Sequence, residues 1–418
     1  MERNRRTYLT NPLTAFLRYN KVWKGIGSSK INISYSNLQS DVYDIQGTSQ
    51  MPMNGNMHPG DSAQVHNKEQ QSRNTVSEFK SEITNTLYLK SAHELKFAAA
   101  YIYNDVLLYE NNIADTNTVN ISAQGAQFMT YIQDRYEIVK NLTFTAGLRT
   151  DYSINLNKNY LQPRISLSAK PWSKLQFNAA WGIYNQFVVK TAIVDKNNNY
   201  RYLWMINNNE EIPVLTAQHY VLGSVFNHKG FTLSVEGFYK TTQGITRLIT
   251  SDIQNQLFTG NSKIHGIDFF VKQEYKGHSF WASYTLSQSL EWFPFFPDNN
   301  YQAALQDQRH EIKLSGILNL SPFVLSANYV YGSGFLQNTD LGTGNNYPYI
   351  RLDIAGFYRF SIKKIIKLQA GISILNLLNR ENIKYTNLIQ VPTDGVNTLN
   401  VYSGAVPFTP YLFLNISF

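Results

Sequence analysis

The chain has 418 residues, of which 14% are aromatic and 16% charged, with no cysteine. No stretch approaches the roughly 20 apolar residues of a membrane-spanning helix, which excludes a helical membrane protein, and a disulfide-stapled scaffold is excluded by the missing thiols. The net charge of +8 is scattered through the sequence and not gathered in a basic tract, which argues against a nucleic-acid partner.

The start, Met1 followed by E-R-N-R-R, is basic but has no apolar segment or small-residue cleavage site behind it, so it does not read as an export signal. From there, period-two alternation predicts strands at 13–23, 29–37, 76–90, 93–104, 124–138, 141–152, 159–170, 174–185, 215–226, 230–242, 263–275, 277–289, 308–320, 322–334, 347–361, 365–379 and 408–418. In one of the clearest, Leu142, Phe144, Ala146, Leu148 and Tyr152 alternate with Thr143, Thr145, Gly147, Arg149 and Asp151. One side of that strand suits lipid and the other suits water. The same split separates Leu175, Phe177, Ala179, Trp181 and Ile183 from Gln176, Asn178, Gly182 and Tyr184, and Ile350, Leu352, Ile354, Tyr358 and Phe360 from Arg351, Asp353 and Arg359. Runs of about 10 to 15 residues are long for a soluble sandwich and about right for tilted membrane strands.

The connections sort into two classes. Tight turns such as Val139–Lys140, Pro171–Ser173 and Lys276 alternate with long segments at 38–75, 105–123, 186–214, 243–262, 290–307, 335–346 and 380–407, the short 153–158 connection being the exception. Barrels of the outer membrane have this asymmetry, with short periplasmic turns and long outer loops. The chain ends on a strand in which Leu412, Leu414, Ile416 and Phe418 share one face. An apolar face at the very end needs lipid or a covering layer. The reading is therefore an all-β transmembrane antiparallel β-barrel of about seventeen visible strands, one domain over 1–418. The count is odd, whereas bacterial single-chain barrels have even numbers. The expectation is a barrel incomplete at its N-terminus: a C-terminal portion, a split gene product or a mis-started frame.

Particular segments carry a family resemblance. Thr130 to Tyr152 followed by Gln162-Pro163-Arg164-Ile165-Ser166-Leu167, then Trp281 to Ser287, Asp307-Gln308-Arg309-His310, Tyr331-Gly332-Ser333-Gly334, Arg351-Leu352-Asp353 and Asn376-Leu377-Leu378-Asn379, resemble in that order the barrel of TonB-dependent outer-membrane receptors. The C-terminal strand resembles the insertion signal read by the barrel-assembly machinery. The resemblance implies a 22-stranded barrel in outer-membrane lipid, a plug domain inside it, energising by TonB with ExbB and ExbD, and a small-molecule or glycan ligand; no plug-like segment precedes the strands in this sequence. It implies no resident cofactor.

The candidate chemistry is binding. Alternation turns Arg149, Asp151, Arg164, Arg309, Glu311, Arg351, Asp353 and Arg359 toward the lumen, to contact a plug, to set the charge of a substrate path, or simply to pair across neighbouring strands. Tyr202, Trp204, Trp292, Phe293, Phe295, Phe296 and Tyr347 lie in or beside long loops, where their rings could stack on a ligand or form an aromatic girdle. Met51, Met53, Met57, His58 and His66 crowd the longest loop with ligands suited to copper. No H-E-x-x-H, G-x-S-x-G or Walker motif is present, and Gly332-Ser333-Gly334 and Gly342-Thr343-Gly344 lack the helix that such motifs need. The expected function is nutrient uptake as part of such a receptor, for a metal chelate, a cofactor or a glycan; a passive porin-like channel, a surface-binding barrel and a non-functional remnant are the alternatives.

Overall fold

The computed structural model describes residues 5–49, 65–89, 92–112, 117–194, 200–208, 210–250, 255–335, 348–362, 366–382, 389–392, 398–401 and 404–417. The strands are β1 (Arg5–Trp23), β2 (Gly27–Ser49), β3 (Val65–Leu89), β4 (His93–Asn112), β5 (Asn117–Val139), β6 (Leu142–Ser153), β7 (Lys158–Trp172), β8 (Leu175–Gln186), β9 (Val188–Val194), β10 (Tyr200–Ile206), β11 (Leu215–His228) and β12 (Phe231–Thr250). They continue as β13 (Asn255–Tyr275), β14 (His278–Trp292), β15 (Gln302–Ala303), β16 (His310–Leu320), β17 (Phe323–Gly332), β18 (Tyr349–Ile362), β19 (Ile366–Leu375), β20 (Ile389–Pro392), β21 (Thr398–Val401) and β22 (Thr409–Ser417). All but β20 and β21, which pair with each other, belong to one 20-stranded sheet among the described residues.

The wall of that sheet is an antiparallel meander. Each predicted strand is present, and β8 joins β11 directly, Trp181 opposite Tyr220, so that β9 and β10 pair with each other outside the meander and join the sheet through a short parallel pairing of β9 with β12. Among the described pairings β1 meets only β2 and β22 only β19, leaving the sheet open. At the tight-turn end, Lys229–Gly230 (φ 48° and 81°) and Lys276–Gly277 (φ 48° and 85°) put both central residues at positive φ. That is the two-residue turn whose twist matches the strands it joins.

Three predicted boundaries move. The segments read as long loops at 38–75, 105–123 and 243–262 are largely strand, because β2–β3, β4–β5 and β12–β13 continue as paired extensions. One face of such an extension is buried yet largely polar, with Asp41, Ser72, Asn74, Thr246 and Arg247 all covered, so the apolar–polar alternation that marks a lipid-facing strand is lost there. The loop at 186–214 holds β9 and β10, and 290–307 holds β15 and one short 3-10 turn, Pro297–Asn299.

Outward faces are strongly apolar and exposed: Leu412 is 82% exposed and Leu222 67%. Continuous apolar surface of this kind suits lipid and is costly in water. No helix among the described residues is long and apolar enough to cross a membrane, a fact that says nothing about strands. The buried apolar side chains gather where the β9–β10 hairpin lies on the inner wall. Val189, Ile193, Leu203 and Ile206 of the hairpin and Ala100, Ile102, Val106 and Met129 of the wall are all buried. Each larger one contributes about 2 kcal/mol by burial.

Candidate ligand-binding mouth

The hairpin has two faces because its side chains alternate. Val189, Thr191 and Ile193 fall on one face with Leu203, and Lys190 and Ala192 fall on the other with Trp204 and Tyr202. The first face is buried, and Thr191 shares a hydroxyl hydrogen bond with Thr246 at 2.7 Å. Beside it Ala192–Val194 run parallel to Arg247–Ile249 of β12. On the far side Asn74 of β3 holds the backbone of Trp204 at two points. Its amide accepts from the Trp204 N–H at 2.7 Å and donates to the Trp204 carbonyl at 3.3 Å. A side-chain amide thus takes the place of a neighbouring strand, satisfying backbone groups that burial would otherwise leave costly. Gly125 lets Ile206 approach closely: a Cβ there would stand 3.3 Å from the isoleucine Cγ2.

The other face borders open space. Lys190 Nζ lies 5.3 Å from the Tyr202 ring centre and 5.9 Å from that of Trp204, within cation–π range. These residues adjoin two recesses. One, of about 380 Å³, is shared by Lys190, Tyr202, Arg247, Glu291, Phe293 and Gln306. The second, of about 550 Å³, lies between Trp204 and Phe187 on the hairpin side and polar wall residues including Glu78, Asn104, Gln127 and Arg149.

The aromatic run after β14 is organised around Arg247. Its guanidinium stands 4.3 Å from the Phe293 ring centre, 5.8 Å from Phe295 and 5.6 Å from Phe296, and donates to Glu291 at 2.6 Å. Gln306 also donates to Glu291, at 3.2 Å. Phe293 is 2% exposed. Its ring occupies the space left by Gly260, where a Cβ would come within 2.7 Å of it. Phe293 therefore anchors the loop, and its ring face is already taken by the cation. Trp292 donates to Asn299 at 2.7 Å, fixing the turn. Tyr202 and Phe293 come together in one recess; Trp204 borders the other, and Tyr347 lies outside the described residues.

The charged residues that alternation turns toward the lumen find partners mainly along their own strands. Arg149 donates to Asp151 at 2.7 and 2.9 Å, Lys313 pairs with Glu311 at 2.9 Å, and Arg351 with Asp353 at 2.7 Å. These partners sit two residues apart on one strand, since i and i+2 share a face and long side chains reach along it. Asp151 is fully buried and also accepts from Gln162. Arg164 lies over Tyr184 at 4.5 Å, Arg359 over Phe357 at 5.2 Å, and Arg309 meets Asp307 at 3.6 Å. Asp353 further accepts from the Asn376 N–H at 2.9 Å, and the buried Asn376 amide donates to the carbonyls of Arg380 and Val406. The terminal-strand residues Leu414 and Ile416 are exposed beside Leu412, and Phe418 lies outside the described residues. Met51, Met53, Met57 and His58 also lie outside them, while His66 stands opposite Thr48 in β3.

Sequence reasoning named Tyr202 and Trp204 but not Lys190, Asn74 or Arg247. Tandem seven-residue runs, Val188–Val194 and Tyr200–Ile206, were the available signal for the hairpin.

Comparison with known proteins agrees with this architecture. Residues 2–377 match the family described as TonB dependent receptor-like, beta-barrel. The structure is similar to the copper transporter OprC, at 11% identity and TM-score 0.67, covering 97% of this chain and 65% of that one. It is also similar to the ferric-catecholate import receptor Fiu of E. coli K12, at 12% identity and TM-score 0.65, covering 97% and 63%. A mutant ferric enterobactin receptor of Pseudomonas aeruginosa in complex with enterobactin gives 14% identity and TM-score 0.63, covering 98% and 62%. The chain thus spans less than two thirds of the length of each of these proteins. No curated protein matches it. A meander of long alternating strands, an apolar outer face, a polar inner face and a family match running from β1 through β19 lead to one conclusion: the chain belongs to the TonB-dependent receptor β-barrel family.

Proposed function

We propose that the chain is the barrel portion of an outer-membrane receptor that takes up a scarce nutrient, a metal chelate, a cofactor or a glycan, and that the β9–β10 hairpin forms the floor of its mouth. The observation that carries this reading is the open hairpin face, where Lys190, Tyr202 and Trp204 present a cation between two rings beside the recess that holds Arg247 and Glu291. Rings and charged groups converging in a concave mouth suit a ligand with flat surface and polar edges. Copper and ferric-chelate transport by the similar structures supports the metal-chelate member of that list.

In this reading the barrel is one domain, incomplete by itself. Its lumen charges meet a plug, energy comes from TonB with ExbB and ExbD, and the apolar face of β22 serves recognition by the barrel-assembly machinery. The chain carries out no covalent chemistry. The test is uptake by cells lacking the gene, using a ferric catecholate, cyanocobalamin and a neutral oligosaccharide as labelled probes. Loss of one class, restored by the wild-type gene and weakly by Trp204→Ala, is expected. Undiminished uptake of all three, with lost passive permeability to small solutes, would replace the receptor with a channel.

A further inference from the structure

The outer face carries a feature that uptake does not use. Between two rows of outward side chains a groove of about 830 Å³ crosses β7, β8, β11, β12, β13 and β14. The row nearer the long loops contains Trp181, Tyr220, Tyr239 and His265, directly opposite one another on successive strands, with ring centres 6.5, 6.1 and 6.5 Å apart. The next row contains Leu167, Ala179, Leu222, Gly237, Ile267 and Leu286. Ala179 and Gly237 stand where larger side chains would fill the space. A Cβ on Gly237 would meet nothing closer than the Leu222 carbonyl oxygen at 3.9 Å.

We infer that this groove is a defined binding site for one acyl chain of a membrane lipid, with the headgroup at the end marked by His265 and Gln288. The inference rests on the outer-membrane reading. Three observations select a lipid over a protein partner. The groove is continuous with the exposed apolar belt, Leu222 at 67% and Ile165 at 45%. Neither row contains a lysine, arginine or carboxylate that would register a protein partner; Arg309 joins the lining beside Ser287, whose N–H donates to its carbonyl at 3.1 Å. Five strand spacings make the groove about 24 Å long, and strands tilted by about 35–45° incline it obliquely across one leaflet. An empty slot of this size would forfeit dispersion contacts along its whole lining.

The test is native mass spectrometry of the full chain, purified from membranes in mild detergent with dioleoyl-phosphatidylethanolamine added. The wild type retains one lipid, and Gly237→Leu, which fills the groove, weakens retention about tenfold, equivalent to about 1.4 kcal/mol. Leu325→Ala, on the outer face of β17, leaves retention unchanged. Equal retention by Gly237→Leu and wild type overturns the site, as does a wild type that carries no lipid or a lipid-free dimer whose contact Gly237→Leu breaks. A heat-shifted gel band reports the folded barrel in each variant, and Ala179→Leu replaces Gly237→Leu if that band is missing. A folded, bilayer-inserted barrel without retained lipid sinks the groove alone; failure to insert into any bilayer sinks the membrane reading.

Discussion

The wall behind the β9–β10 hairpin and the wall formed by β16 to β19 with β22 are built from the same kind of alternating strand, yet their inner faces differ. Behind the hairpin, Ala100, Ile102, Val106 and Met129 are buried and Asp151 is fully enclosed. Along the second wall the inner carboxylates stay wetter, Asp353 at 20% and Glu311 at 33%, whereas the arginines of the two walls, Arg149 at 27% and Arg351 at 20%, both keep contact with solvent. A strand of a membrane barrel supplies one apolar face to lipid and leaves the other for water. An element folded inward converts part of that second face into a core, and in the same Arg–Asp pattern the carboxylate is then enclosed while the guanidinium stays partly in water.

The sharpest way to break this comparison is to remove one carboxylate from each wall. Asp151→Ala removes a fully buried carboxylate that accepts from Arg149 and from Gln162, leaving the Gln162 amide unpaired while Arg149, 27% exposed, can turn to water, and should cost about 2 kcal/mol. Asp353→Ala should cost about 1 kcal/mol, chiefly the hydrogen bond from Asn376. Urea unfolding of both variants in lipid vesicles measures the difference, and equal losses would mean that the hairpin does not insulate Asp151. Of similar size, Leu203→Ala opens a cavity under the hairpin and should cost about 2 kcal/mol. Leu412→Ala, at an outward position 82% exposed, should cost well under that in the same assay.

A local readout sharpens the point further. Asn74→Ala removes both bonds to the Trp204 backbone, and amide exchange across 200–206 should accelerate about tenfold, the equivalent of one net hydrogen bond. Exchange in β17 should not change. The smallest expected effect is that of Glu311→Gln, whose pair with Lys313 is exposed and is worth about 0.5 kcal/mol or less. A loss as large as that of Asp151→Ala would place a hidden burial on the second wall.

The strands were legible because lipid on one side and water on the other impose a period of two, as in Leu142 to Asp151, with Leu148 exposed outward and Asp151 enclosed inward. The extensions of β2 to β5 and of β12 and β13 were not, since their covered face is itself largely polar and the pairing continues through backbone bonds that any side chain allows. The candidate site was half legible. Tyr202 and Trp204 stood out as aromatics in a long connection, but their partner Lys190 comes from another strand, and Phe293, equally prominent in sequence, proves to be the anchor of Arg247.

By itself, then, the sequence determined the strand alternation, the two classes of connection, the outward face of the terminal strand and the family resemblance, because each depends on neighbours one or two residues away or on short ordered motifs. Tertiary structure alone decided that β9 and β10 lie against β3 and β12, that Arg149, Lys313 and Arg351 pair along their own strands, and that Gly237 and Ala179 open a groove in the belt. Those outcomes depend on which surfaces meet across tens or hundreds of residues of chain, and alternation at close range carries no record of that meeting.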